Sequence, residues 1–326
     1  MQGAGPGLCS CNILPDKQDR EPVNGVEGDV GMKARILALT AVLFWSTAAS
    51  AFKITLRWLT PYQLVLLSST VSTVALWTII AVRRSAASPE TPSSAVLARA
   101  AARGALNPFV YYLVLLEAYD RLPAQIAMVI NYLWPVMLMI LSAPLLRQPV
   151  TMRMAAASAV SFCGIGVLAL GGSPVGGELS IPAMGLALLS TVIWALYWIL
   201  NLRSTGDTVR NLARSFSFGL LYLVIYGLAA GRLKGLGGID LRGLAGTAYI
   251  GLFEMGITFV VWLRALRLAE TTTEVGSYIY LTPFLALLFI GTAVGETIGM
   301  ATVAGLVLVV AGILLQHGAK RGARSR

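Results

Sequence analysis

The chain has 326 residues, of which 56% are hydrophobic and 12% are charged. A soluble domain carries about 25% charged residues, so this composition argues against a soluble protein and predicts an all-α integral membrane protein. The formal net charge is +10, but the basic residues lie at the ends of apolar segments, where they orient the chain and do not form a polyanion-binding patch. We therefore expect the lipid bilayer as a partner and no nucleic acid.

Residues 1–31 differ in kind from the rest of the chain. They are polar, hold three prolines and five acidic residues, and show no apolar period. This pattern predicts a disordered N-terminal tail or an upstream extension, with Met32 as an alternative start. Residues 318–326 are predicted to form a basic cytoplasmic tail.

Ten apolar segments lie between these tails, at residues 36–52, 62–82, 104–116, 124–146, 154–170, 181–202, 212–230, 244–263, 276–294 and 299–316. Ten spans of about 20 residues fit the length of the chain. The third segment is short. We expect it to reach spanning length by running back through residues 98–102, with Arg99 and Arg103 extending to the interface.

The distribution of basic residues predicts the orientation of the spans. If the N-terminus is cytoplasmic, seventeen Lys and Arg residues near the spans fall inside and six fall outside. The six outside are Lys53, Arg57, Arg121, Arg232, Lys234 and Arg242. An excess of positive charge marks cytoplasmic loops, so both termini are predicted to be cytoplasmic.

One sequence pattern occurs twice. Residues 132–135 (YLWP) and 280–283 (YLTP) lie 148 residues apart, and the segments that follow align without a gap, so that Gln148 falls on Glu296. Each half then holds five spans, and an odd number forces the second copy to enter the membrane from the opposite face. The sequence predicts two inverted five-helix repeats, 32–171 and 172–317, around a central cavity.

Small residues recur in the fifth and tenth spans. Gly164 and Gly166 lie in the fifth span, and Gly305 and Gly312 lie in the tenth. Glycines let helices approach closely. Because these two spans carry few polar side chains, we expect them to be peripheral or to form a homodimer contact.

Glu254 is the main polar anomaly, since it lies near the middle of the eighth span. A carboxylate at the bilayer centre costs about 2.5–3.5 kcal/mol, so it should face a cavity or a partner. On a regular helix Thr247, Gly251, Glu254 and Thr258 share one stripe, which predicts a surface lining the substrate path. Glu254 would titrate during transport or hold a substrate ammonium group. The alternative is a structural acid bonded to a backbone carbonyl.

Aromatic side chains predict a second part of the pocket. Trp194, Tyr197, Trp198 and Asn201 follow a helical spacing in the sixth span, and rings with polar tips on one face can line an apolar, hydrogen-bonding pocket. The alternative is an interfacial aromatic belt, to which Trp198 and Asn201 would belong. Tyr111 in the third span is a further candidate for the same pocket.

The fourth span contributes Asn131 and Trp134, which share a helix face. Pro135 removes a backbone donor and frees the carbonyl of Asn131, and Pro283 acts in the same way in the ninth span. Matching prolines in matching helices are expected in a hinge or in a broken-helix binding site. A passive kink is the alternative.

Several chemistries have no sequence signal. No His/Cys/Asp cluster suggests a metal site, and no phosphate-binding loop with its lysine suggests nucleotide hydrolysis, so we expect no metal, no cofactor and no catalytic residues. A carrier of nucleotide sugars would need Lys or Arg deep in the spans to bind phosphate. The sequence predicts none there.

The chain resembles the drug/metabolite transporter superfamily with its EamA-type repeats, over residues 32–316. The resemblance lies in two halves of five spans, each with a Tyr-Leu-x-Pro helix, a short polar turn (147–149 and 295–297) and a glycine-rich last span. Residues 131–135 (NYLWP) are similar to those of aromatic-amino-acid exporters of the YddG type. The resemblance implies a bacterial inner-membrane exporter of aromatic and other apolar amino acids, or of related small metabolites, working by alternating access. Gln148 departs from the pattern, in which a glutamate is usual.

Two other functions remain open from the sequence. A multidrug or quaternary-ammonium exporter would use Glu254 as the cation site and the aromatic residues as a cation–π cage. A membrane enzyme or a scaffold without transport is the alternative of another class.

Overall fold

The computed structural model describes residues 27–83, 92–147, 151–171, 180–202, 206–269 and 276–322, and these parts are helical without strands. Within them, seven helical segments are long and apolar enough to cross a membrane: Gly31–Thr55, Pro61–Val82, Ala124–Leu146, Met152–Leu170, Ile181–Asn201, Thr208–Ala229 and Leu241–Leu268. Tyr278–Val294 and Met300–Leu315 are apolar but shorter. The prediction of an all-helical protein with many spans is confirmed.

The α-helices in chain order are α1 (Glu27–Thr55), α2 (Pro61–Val82), α3 (Ser94–Gly104), α4 (Tyr111–Arg121), α5 (Ala124–Asn131), α6 (Trp134–Leu146), α7 (Met152–Leu170), α8 (Ile181–Leu202), α9 (Thr208–Ala229), α10 (Leu241–Tyr249), α11 (Ile257–Leu268), α12 (Thr282–Phe289) and α13 (Met300–Gly322). In the described parts of the chain, three π-helical turns (Ala105–Val110, Ile250–Glu254 and Ile290–Val294) and two 3-10 turns (Arg232–Leu236 and Tyr278–Leu281) interrupt or join these helices.

Short polar side chains set where several of these helices begin. Thr60 caps α2 in a reciprocal pair, because its hydroxyl accepts from the Gln63 backbone N–H while the Gln63 side chain accepts from the Thr60 N–H at 2.9 Å. Asp207 caps α9 in the same position. Such caps satisfy backbone donors that have no partner within the helix.

Both predicted terminal tails overlap helices. Helix α1 begins at Glu27, so the last five residues of the predicted 1–31 tail are helical, and residues 1–26 lie outside the described chain. At the other end α13 continues to Gly322, into the predicted 318–326 tail, and residues 323–326 are not described.

Helix α5 runs through the centre of the protein. Its first seven residues, 124–130, are all buried, as expected for a helix that is apolar on every side. Around it, α4 and α6 pack on α8, α1 packs on α11 and α12, and α2 and α3 pack on α9. These contacts bring segments that are distant in sequence to a large central core, and the packing of α1 on α11 forms a second, smaller apolar cluster.

The third predicted span does run back beyond residue 98, since α3 begins at Ser94. The expectation that Arg103 reaches the interface is wrong. Its side chain is 3% exposed and its Nε donates to the Ser215 hydroxyl at 3.3 Å. The cause is the close approach of α3 to α9, where a Cβ on Gly104 would lie 2.3 Å from the Ser215 carbonyl oxygen. The chain therefore buries a basic residue between helices, which the sequence did not predict.

Glycines join α7 and α13 within one chain. A Cβ on Gly164 would lie 2.6 Å from the Gly305 carbonyl oxygen, and one on Gly312 would lie 2.1 Å from the Ser161 hydroxyl. The predicted close packing is confirmed for these glycines. It is wrong for Gly166, where a Cβ would meet no atom within 4 Å. The buried residues of α7 face α13, and its other residues are partly buried or exposed.

Helix breaks fall at matching positions in the two halves of the chain. The third span of each half contains a π-helical turn, at Ala105–Val110 and at Ile250–Glu254. The fourth is broken before Trp134, and its counterpart has a 3-10 turn before Thr282. Interrupted helices bring backbone and polar side chains into the interior of membrane proteins.

Candidate functional site

Six aromatic residues from α4, α6 and α8 meet in the interior and are called here the aromatic cluster: Tyr111, Tyr112, Trp134, Trp194, Tyr197 and Trp198. Trp194 lies at its middle. Its ring stacks on Tyr111 with a centroid distance of 4.5 Å and on Tyr197 at 5.3 Å, and it meets Trp198 edge-on at 6.1 Å. Four of the predicted site residues therefore lie together with Trp198, whose position in the sequence is compatible with either a pocket or an interfacial belt.

Trp134 joins this cluster through Trp198. The two rings are stacked with an interplanar angle of 18° and a centroid distance of 6.1 Å. The indole nitrogen of Trp198 is buried and has no hydrogen-bond partner among the residues that the structure describes. A residue of an interfacial belt would offer this N–H to water or headgroups, so the surroundings of Trp198 favour the pocket.

Asn131 fixes the polar side of the cluster. Its Oδ1 accepts a hydrogen bond from the Tyr111 hydroxyl at 3.4 Å, and its Nδ2 donates to the Ser190 hydroxyl at 3.0 Å. Ser190 in turn donates to the Ala187 carbonyl at 2.6 Å. This chain of bonds links α4, the end of α5 and α8, so Asn131 orients the Tyr111 ring against Trp194.

Glu254 reaches the cluster through Tyr112. The Tyr112 hydroxyl donates to Oε1 of Glu254 at 3.2 Å, whereas Oε2 is buried and has no partner in the described segments. Tyr112 contacts the Tyr111 ring at 4.9 Å, which completes a continuous path from Trp134 to the carboxylate. A buried oxygen without a partner loses hydration without compensation, so this position favours a ligand that donates hydrogen bonds.

The π-helical turns place these groups. Glu254 is the last residue of Ile250–Glu254, and α4 begins at Tyr111, directly after Ala105–Val110. The two breaks face each other across the Tyr112–Glu254 hydrogen bond. The indole of Trp45 also donates to the backbone carbonyl of Glu254 at 3.3 Å, which holds this turn against α1.

The predicted polar stripe in the eighth span is wrong as a continuous α-helical face. The π turn and the non-helical Gly256 (φ −111°, ψ −90°) change the register between Thr247 and Thr258. Gly251 packs on α2, where a Cβ would lie 2.6 Å from the Ser68 carbonyl oxygen. The Thr258 hydroxyl donates to the Phe253 carbonyl. Thr258 thus has its proton engaged by the backbone and offers a substrate only its lone pairs.

The two predicted hinge prolines occupy equivalent places. Pro135 and Pro283 lie in the first turns of α6 and α12. A proline has no N–H to lose there, and its ring prevents the preceding segment from continuing as a regular helix. The helical path is interrupted beside both prolines. Their role as hinges stays a prediction.

A second network joins distant segments at the start of α5. Glu296 accepts from the backbone N–H groups of Ala124 at 2.6 Å and Gln125 at 3.2 Å. The Gln125 side chain, which is 0% exposed, accepts from the Thr302 hydroxyl at 2.7 Å and donates to the Thr297 carbonyl at 2.9 Å. A carboxylate at a helix N-terminus satisfies free N–H groups and complements the helix dipole. The central helix is therefore anchored by the segment that precedes α13.

We expect Glu296→Gln to lower the free energy of unfolding by about 1–3 kcal/mol, because charge-assisted hydrogen bonds to α5 are lost. The measurement is thermal unfolding of the purified protein in detergent. Glu117→Gln is the matched control, because Glu117 forms an exposed pair with Arg121 at 2.7 Å and such pairs contribute about 0–1 kcal/mol. Equal destabilisation by the two changes would contradict the anchoring role of Glu296.

Lys53 ties the end of α1 to the same region. Its ammonium group donates to the carbonyl oxygens of Tyr119 and Leu122, each at 2.7 Å. These carbonyls lie at the C-terminal end of α4, where a positive charge is favourable. Lys53 was predicted only as an outside charge, and its role in holding the α4–α5 connection could not be read from the sequence.

Sequence reasoning also missed Tyr112, Trp45 and Gln125. Tyr112 neighbours the predicted Tyr111, but on a regular helix consecutive residues point to different faces. Gln125 is one polar residue at the start of an apolar span, and that isolation was a usable signal for a buried partner.

One protein family matches both halves of the chain. The EamA-like transporter family matches residues 32–170 and again 181–316. An uncharacterized transporter of Archaeoglobus fulgidus is 25% identical over 282 residues, which cover 86% of this chain and 96% of that protein. A probable terminal-alkyne amino-acid exporter of Streptantibioticus cattleyicolor is 27% identical over 287 residues, or 86% of this chain and 91% of that protein.

A solved crystal structure shares the fold. It superposes with a TM-score of 0.60 at 20% sequence identity and covers 90% of this chain and 99% of its own. At this identity the likeness concerns the fold alone. Together with the two matches along the sequence, it leads to one conclusion: the chain is a multi-pass membrane protein that belongs to the EamA-like transporter family.

Proposed function

We propose that the protein exports amino acids, aromatic and other apolar ones foremost, or closely related small metabolites. The observation that carries this proposal is the aromatic cluster and its connection to the unpartnered Oε2 of Glu254. The rings offer an apolar side chain a stacking surface, and the carboxylate offers an ammonium group a charge-assisted bond. A zwitterion with an apolar side chain fits both parts.

The architecture proposed for this activity is ten spans in two inverted repeats, 32–171 and 172–317. Matching breaks in the third and fourth spans of each half support it. In this arrangement the ninth and tenth spans are the shorter helical segments Tyr278–Val294 and Met300–Leu315. Broken helices at the interface of inverted repeats are common at midplane binding sites of transporters, where rocking of the repeats gives alternating access.

In the proposed site Trp134, Trp194, Tyr197 and Tyr111 bind the apolar part of the substrate and Glu254 binds its ammonium group. Asn131 positions Tyr111. Thr258 contributes through its remaining lone pairs. Pro135 and Pro283 would act as hinges, because the helices are already interrupted beside them. No catalytic residue is part of the proposal.

A second candidate is export of quaternary ammonium or other lipophilic cations. The stacked Trp134 and Trp198 rings and the acid at Glu254 favour it, since indole faces attract cations. The candidates differ in the substrate carboxylate, which an amino acid has and a lipophilic cation lacks. A membrane enzyme or a scaffold would transport neither amino acids nor lipophilic cations.

Flux in proteoliposomes distinguishes these functions. The purified protein is reconstituted, and uptake of labelled phenylalanine and of labelled tetraphenylphosphonium is measured, each with unlabelled amino acids and unlabelled cation as competitors. The proposal expects competition by apolar amino acids and weak competition by the cation. The reverse order would support the cation exporter, and absence of flux for both would favour an enzyme or a scaffold. A substrate-dependent rise in thermal stability across the amino acids is an independent measure of binding.

The proposed location is a bacterial inner membrane with both termini cytoplasmic. We expect single cysteines at Ser88 and Ser325, in a cysteine-free background, to react with an impermeant maleimide only after the cells are permeabilised. A cysteine at Lys234 is the matched control and should react in intact cells. The physical reason is the excess of basic residues on one side of the spans. Labelling of Ser88→Cys in intact cells would overturn the proposed orientation.

A homodimer through spans five and ten is also proposed. Gly164 of α7 packs on α13 within the chain whereas Gly166 does not, so the contact would involve the opposite side of α7, where Phe162 and Leu170 are exposed. Crosslinking of Phe162→Cys in membranes tests this interface.

A further inference from the structure

A cleft of about 230 Å³ opens where α2 and α11 end and α9 begins. Its wall combines three basic and three apolar side chains: Arg83, Val209, Val260, Leu263, Arg264 and Arg267. The three arginines come from two helix ends that are about 180 residues apart along the sequence. The positive-inside rule accounts for basic residues near the cytoplasmic ends of spans, but it does not require that they line one cavity. The three arginines at this cleft therefore need a further explanation.

The guanidinium groups lie at the cleft without acidic partners in the described part of the chain. Arg267 donates from Nη2 to the Thr208 hydroxyl at 3.3 Å, which holds it at the start of α9. The nearby Asp207 carboxylate accepts from the Arg210 N–H at 2.9 Å and so serves as the helix cap. Among the described residues, the charged side chains that line the cleft are all basic, and the Asp207 cap offsets the N-terminal dipole of α9.

We infer that this cleft binds a phosphate group, with an anionic phospholipid headgroup as the ligand that its shape favours. Guanidinium groups match phosphate oxygens with paired hydrogen bonds. Val209 and Val260 are buried beside them, and Leu263 is partly buried. An apolar floor below three guanidinium groups suits the junction of a headgroup and its acyl chains, and basic pockets between membrane helices bind such lipids.

The site is separate from the aromatic cluster, and it does not depend on which substrate is exported. Arg83, Arg264 and Arg267 are exposed, so their replacement by glutamine should leave folding unchanged. Arg153, an exposed arginine at the start of α7, lies outside the cleft and provides a matched control.

Thermal unfolding of the purified protein in detergent tests the inference with dioleoyl phosphatidylglycerol, dioleoyl phosphatidylcholine, glycerol phosphate and inorganic phosphate as additions. A ligand that binds the native state raises the unfolding temperature. We expect phosphatidylglycerol to do so, and the double variant Arg264→Gln/Arg267→Gln to need about tenfold more lipid for the same rise. Arg153→Gln should respond as the unchanged protein does.

The additions without acyl chains identify the source of the phosphate. If glycerol phosphate or inorganic phosphate stabilises the protein as well as the lipid does, and the double variant loses this response, the cleft binds free phosphate compounds. If only phosphatidylglycerol acts, the ligand is the lipid. Equal stabilisation by phosphatidylcholine, or an unchanged response of the double variant, would overturn the inference.

Discussion

Trp134→Ala should lower transport of an aromatic amino acid by about tenfold while the amount of protein in the membrane stays unchanged. The ring stacks on Trp198 but is only partly buried, so its face is available to a substrate when the site opens. Loss of one aromatic stacking contact of about 1–1.5 kcal/mol corresponds to about a tenfold change in affinity. The measurement is initial flux in proteoliposomes, normalised to reconstituted protein.

Two variants separate binding from packing. Trp134→Phe keeps an aromatic face and should retain more flux than Trp134→Ala. Trp77→Ala removes an indole of the same size that is 42% exposed on α2, outside the cluster, and should leave flux unchanged. If Trp134→Ala lowers protein abundance in proportion to flux, its ring supports the fold and not the substrate.

The class of fold followed from the sequence because length and hydropathy alone determine which segments can cross a bilayer. The internal duplication was also visible, and the family matches fall on both halves. The breaks within individual helices were harder to predict from the sequence. The π turn at Ile250–Glu254 lies in a predicted span without a proline, and hydropathy has no signal for a change of helical register.

The candidate site was predicted best where one helix carries several members. Trp194 and Tyr197 share a turn of α8, so their contact could be read from spacing. Contacts between helices could not be read in this way. The pairing of Glu254 with Tyr112 depends on two breaks meeting across the core, and the burial of Arg103 depends on how closely α3 approaches α9.

Contacts between helices also explain why the bonds of three charged residues were not predicted. Because Lys53, Arg103 and Glu296 lie at or near the ends of predicted spans, they were expected at the interface or in a turn. In the structure all three bond to groups on other helices. Charged groups at helix ends can satisfy the backbone of a neighbouring helix, and this role depends on tertiary packing.

The role proposed for Glu254 has a close control elsewhere in the chain. Glu296→Gln makes the same chemical change at a carboxylate that caps α5, so it should lower stability without flattening the pH dependence of flux. Tyr112→Phe removes the hydroxyl that faces Oε1 and keeps the ring. Because the carboxyl group remains, this variant should retain a pH-dependent flux.

Glu254→Gln should lower flux by about ten- to a hundredfold, because a charge-assisted bond to a substrate ammonium is worth about 1.5–3 kcal/mol. It should also flatten the dependence of flux on pH. In the described chain Tyr112 is the polar side chain that contacts this carboxylate, and Oε2 has no partner. Without a fixed cation beside it, the carboxyl group can exchange a proton for a substrate as the site opens and closes. Glutamine keeps the shape and one accepting oxygen but cannot take part in that exchange.

Flux measured between pH 5.5 and pH 8.5, with normal unfolding behaviour of the variant, tests this role of Glu254. An unchanged flux and pH profile would make Glu254 a structural acid that stabilises the meeting of the two helix breaks.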